Sequence, residues 1–174
     1  MVEVEFISNK TKKEIAKITF ALTLATLSWL IQVSILSRFS YFDITLNLFL
    51  LGTVFCTLRF GITAGVIFGA CASFFSSSIL YDHIFYISYP LIGLITGVIT
   101  KSVFSDELLY YAILCFLLTF ITEFLNGWQF SIINQTVFIP RYLQISISSG
   151  IIHLLISPIY YILIKFVTNK LNIR

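Results

Sequence analysis

Long apolar runs, each closed by a short polar or charged cluster, divide the chain into six segments: 15–37, 44–58, 62–80, 84–100, 108–125 and 143–166. At 1.5 Å per residue in a helix, the longer ones are able to cross roughly 30 Å of hydrocarbon. The third has the most distinctive pattern. Gly61, Gly65, Gly69, Ser73 and Ser77 fall every fourth residue, which on an α-helix makes one ridge almost without side chains, bordered by Ile62, Val66 and Phe68. In water each interior glycine costs about 1 kcal/mol of helix propensity relative to alanine. In a bilayer, small residues at this spacing let two backbones approach closely. The spacing therefore predicts a central transmembrane helix packed on at least two neighbours.

The other segments carry related signals. Ala21, Ala25, Ser28 and Gln32 share one face of the first helix, a face expected to meet another helix. The second segment, ending before Arg59, is short. In the fourth, Pro90 predicts a kink and Gly93 with Gly97 forms a second small-residue pair. Residues 38–43 read as a short aromatic and charged loop and 101–107 as a polar turn. Residues 126–142, with Asn126, Trp128, Gln129, Pro140 and Arg141, read as a long interfacial connection too polar to span.

Composition turns this pattern into a class. With 174 residues, 58% hydrophobic, 11% charged and a mean hydropathy of +0.96, the chain is not an ordinary soluble domain. No linker divides it, so one domain is expected: an all-α membrane protein, a six-transmembrane-helix bundle over 15–166, with a cytoplasmic segment 1–14 and a basic tail 167–174. The first apolar run has spanning length and no cleavage site after it, so it reads as a retained helix, not a signal peptide. The net charge of +3 is small and gathered at the ends, which argues against nucleic-acid binding and supplies orientation instead. With the N-terminus inside, Lys10, Lys12, Lys13, Lys17, Arg59, Lys101, Lys165, Lys170 and Arg174 are cytoplasmic and only Arg38 and Arg141 lie outside. Both termini are then cytoplasmic.

Candidate chemistry is sparse. Cys56, Cys71 and Cys115 sit in apolar segments without a metal or disulfide spacing. Glu123 stands alone at one end of the fifth helix, read either as a proton or ion site or as an interfacial acid that pairs with Arg141. His153, near the middle of the sixth, is either a ligand or a neutral ring bonded to a neighbouring helix. Asn47 and Gln32 are candidates for hydrogen bonds between helices. No nucleophile–base pair, carboxylate pair or metal cluster is apparent, so neither an enzymatic activity nor a cofactor or metal is expected.

The order of features resembles the bacterial rod shape-determining family MreD over about Ile31 to Phe166. The residues that carry the likeness are Gln32-Val-Ser-Ile-Leu-Ser-Arg-Phe, Ile44-Thr-Leu-Asn-Leu-Phe-Leu-Leu, Arg59-Phe-Gly61 and Gly65-x3-Gly69. Leu91-Ile-Gly93-Leu-Ile-Thr-Gly97 and Ile151-Ile-His-Leu-Leu-Ile-Ser-Pro158 continue it. The chain departs from the family at Leu46-Asn47, where a proline precedes an Asp or Asn, and at Ser76 and Ser77, where an acidic residue is common. The resemblance implies a non-enzymatic inner-membrane scaffold of the cell-elongation machinery. Its partners would be membrane lipid, a single-span MreC-like protein, a peptidoglycan polymerase and transpeptidase pair, and the MreB filament. Gly61, Gly65, Gly69, Ser73, Gly93, Gly97, Ala21, Ala25 and Asn47 are then the candidate positions for helix packing and partner docking. A second reading is the substrate-binding subunit of an energy-coupling-factor vitamin transporter. Such subunits have a similar fold and a small-residue motif like Ala21-x3-Ala25 for docking their coupling partner.

Overall fold

The structure, a computed structural model, describes residues 9–36, 46–80, 85–100, 107–134, 139–171 and 173. Over these residues it is an all-α bundle of six helices: α1 (Asn9–Ser34), α2 (Leu48–Phe60), α3 (Ile62–Leu80), α4 (Phe85–Thr100), α5 (Glu107–Asn134) and α6 (Ile139–Lys170). Three stretches, Thr11–Ser34, Leu108–Trp128 and Pro140–Lys170, are long and apolar enough to cross a membrane, and the other three helices are shorter but equally apolar in character. The expected loop at 38–43, the expected turn over 101–106 and the first eight residues lie outside the described residues.

The hub is α2, not α3. The thirteen residues of α2 are apolar almost all round, and Leu48 through Thr57 and Phe60 are buried without interruption. A helix without a polar face has to be covered on every side. It is covered by α1, α3, α4, α5 and α6 together. The glycine ridge identified a tightly packed helix, but a helix surrounded on all sides needs an apolar surface all round rather than one bare stripe, and α2 supplies it.

The small residues set how closely the helices lie. Gly65 abuts Thr57 of α2, and Gly52 lies beneath the Phe68 ring of α3. Across the α3–α4 interface the register runs antiparallel: Gly69 meets the backbone of Tyr89 and Pro90, Gly93 meets that of Gly65 and Val66, and Gly97 meets Ile62. These glycines are covered by the chain's own helices. Gly61 differs, since it ends α2 with φ +95° and has no atom near its missing Cβ. Its role is the turn into α3, which only glycine enters without strain. Ser73, Ala21 and Ala25 are buried inside the bundle as well.

The expected interfacial connection over 126–142 is different in the structure. Helix α5 continues to Asn134 and α6 starts at Ile139. Asn126-Gly127 does not break α5. Gly127 lies under the Tyr142 ring, where a Cβ would stand 2.5 Å from Cδ1, and this close approach extends the α5–α6 pairing. Pro140 is the second residue of α6, in the first turn, where a missing N–H is harmless.

Candidate functional site

At about 20 Å, the thirteen residues of α2 fall short of the hydrocarbon thickness of roughly 30 Å. The first turn of α2, Leu48 to Leu51, is buried in the apolar bundle, where backbone N–H and C=O groups have to find partners inside the protein. Two other helices supply them, and a third holds the capping side chain. Asn47 caps α2: its backbone is extended and its Oδ1 accepts from the Leu50 N–H at 3.1 Å. From α1, Gln32 donates through Nε2 to the Leu46 carbonyl at 2.9 Å and accepts through Oε1 from the Leu48 N–H at 3.2 Å. From α6, His153 Nε2 accepts the Asn47 backbone N–H at 2.9 Å. From α4, the Tyr89 hydroxyl accepts from Asn47 Nδ2 at 2.7 Å.

The partners fix the state of His153. Nε2 faces a donor, so the ring proton is on Nδ1, which donates to the Ser149 carbonyl at 2.8 Å. With both nitrogens engaged and the side chain fully buried, metal binding or proton transfer at His153 requires breaking one of these links. Among the described residues there is no group of three His, Cys, Asp or Glu able to hold a metal ion. Glu123 on α5 is half-buried.

The structure thus brings together Gln32, Asn47 and His153, three residues that sequence alone marks only one by one. It adds Tyr89, which sequence reasoning passed over. The available signal was a tyrosine inside an apolar helix, whose hydroxyl needs a partner once buried. A second missed residue is Tyr111, whose hydroxyl donates to the Leu51 carbonyl at 2.9 Å.

A separate feature lies between α4 and α5, two helices that barely approach each other. A cleft of about 620 Å³ runs there, walled by Leu91, Ile95, Leu118 and Ile121, with Asn126 and Trp128 at one end. No family model, no curated protein and no solved structure matches the chain.

Proposed function

We propose that the chain is a non-enzymatic integral membrane scaffold of the MreD type. In this reading it spans a bacterial cytoplasmic membrane six times with both termini cytoplasmic. It docks a single-span MreC-like protein and, through it, a peptidoglycan polymerase and transpeptidase pair and the MreB filament. The observation that carries the reading is the α4–α5 cleft, whose exposed apolar walls suit the apolar face of a partner helix. The glycine ridges are filled from within, so docking moves from them to this cleft. The basic residues at the chain ends support the orientation.

The test is a mild-detergent pulldown read by mass spectrometry. A single-span coiled-coil protein should copurify with the wild type and with Leu155→Trp, on the lipid-facing side of α6, and its recovery should drop severalfold for Ile95→Trp. Undiminished recovery with Ile95→Trp would remove the cleft from the interface.

A second reading, the vitamin-binding subunit of an energy-coupling-factor transporter, draws support from Asn126 and Trp128 in the same cleft. Its volume also lies within the roughly 300–1,000 Å³ of small-molecule sites. The helix-one alanines that would dock the coupling partner are, however, fully buried. Tight binding of a vitamin by the purified chain alone would select this reading over the scaffold.

A further inference from the structure

By backbone proximity the α5–α6 hairpin meets the rest of the bundle mainly through α2, with a smaller contact to α4, while side chains of α1 and α6 meet around Ser28 and Tyr160. Contacts at four α2 positions contribute to the attachment. The Asn47 N–H reaches His153, the Leu51 carbonyl accepts from Tyr111, Phe55 packs edge-on to both Tyr111 and Tyr161, and the Arg59 guanidinium donates to Asn169 Oδ1 at 3.0 Å. On α2 these positions are 47, 51, 55 and 59. They are spaced by four, so they form a single ridge running the whole length of the helix. On α6 the matching residues, His153, Tyr161 and Asn169, also share one ridge, and the two helices run parallel along it.

Each side of this ridge is open. On one flank is the α4–α5 cleft of about 620 Å³. On the other is a cleft of about 270 Å³ between α1 and α6, walled by Leu27, Ile31, Leu163 and Val167, where the two backbones stand apart. By contrast, α3 and α4 are locked by backbone-to-backbone contact at Gly69 and Gly93. One body is therefore rigid and carries the ridge, while the hairpin rests on that ridge with a cleft on either side.

The geometry points to a rocker. The α5–α6 hairpin turns as a unit about the Asn47–Arg59 ridge of α2, and the two clefts exchange volume, one widening as the other narrows. Packed helices slide or roll by about 1–2 Å in such movements without unfolding. The contacts on the ridge survive the roll because they lie on its axis. This inference goes beyond the scaffold reading and is independent of what, if anything, docks in the cleft.

Pulsed electron–electron distance measurements on the full chain test it, with spin labels at lipid-facing positions. One pair, Leu94→Cys with Leu117→Cys, spans the α4–α5 cleft, and a second, Leu22→Cys with Ile162→Cys, spans the α1–α6 cleft. Phe74→Cys with Leu94→Cys reports the locked α3–α4 pair. The native cysteines are replaced by alanine, or left in place with genetically encoded spin-label residues if that variant does not fold. The first two distributions should be broad and the third narrow. Wedging the larger cleft with Ile121→Trp, or with Leu125→Trp if the first does not fold, should lengthen the Leu94–Leu117 distance and shorten Leu22–Ile162. A wedge that leaves Leu22–Ile162 unchanged, or lengthens it, overturns the rocker.

Discussion

Substituting alanine for Gly69 adds one methyl group at a place where the neighbour is unable to turn away. The new Cβ would lie 2.6 Å from the Tyr89 carbonyl oxygen, 2.7 Å from its carbon and 2.8 Å from the Pro90 nitrogen. All three are backbone atoms, so no rotamer change relieves the clash. Moving the oxygen from 2.6 Å to the 3.4 Å of ordinary contact parts α3 from α4 by about 0.8 Å. Overpacking of this kind costs about 1–3 kcal/mol, offset in part by the roughly 1 kcal/mol that alanine gains over glycine in a helix. The shift also pulls on Tyr89, whose hydroxyl takes the Asn47 amide, so the disturbance reaches the start of α2. The net loss of up to about 2 kcal/mol corresponds to a fall of up to roughly 8 °C in Tm for a chain of this size. Cys56 and Cys115 are buried and free, so their reaction with a maleimide dye reports unfolding in mild detergent, in a Cys71→Ala background. Ala70→Leu, one residue along on the exposed side of α3, should leave the transition where it is. If Gly69→Ala unfolds at or above the wild-type temperature, backbone contact at this position does not set the α3–α4 spacing.

Other substitutions separate the physical effects. Gly61→Ala meets no atom within 4 Å but must hold φ +95°, so backbone strain alone should destabilise the chain by about 1–3 kcal/mol, and an unchanged Tm would contradict that. His153→Leu leaves the Asn47 N–H without its acceptor in an apolar interior, at a cost of about 1–3 kcal/mol, whereas His153→Gln, which retains an acceptor, should recover part of the loss in the same dye assay. For topology, Lys12→Cys and Lys170→Cys should react with a membrane-impermeant thiol reagent from the same face of the membrane. Labelling from opposite faces would exclude an even number of spans.

Much of the candidate site was visible in the sequence as single residues. Asn47, Gln32 and His153 stand out because polar groups are rare in apolar segments and expensive to leave unpaired there. What linear order does not show is that they converge. Asn47 and His153 are 106 residues apart, and only the parallel packing of α6 along α2 brings the imidazole to the Asn47 N–H. The continuation of α5 past Asn126 was hidden for a similar reason. Asn-Gly reads as a helix break until Tyr142 is found covering Gly127.

By itself the sequence determined the all-α membrane class and the number of helices, and it marked some of the positions of close approach, such as Gly65, Gly69, Gly93 and Gly97, because hydropathy and side-chain size act locally and hold whatever the neighbours are. Tertiary structure decided which helix is central, which glycine meets which backbone and which polar groups share a site. Those outcomes depend on the relative placement of helices far apart in the chain. Several arrangements satisfy the same local pattern, and the one adopted lets α2 be covered on all sides with the buried backbone at its start hydrogen-bonded.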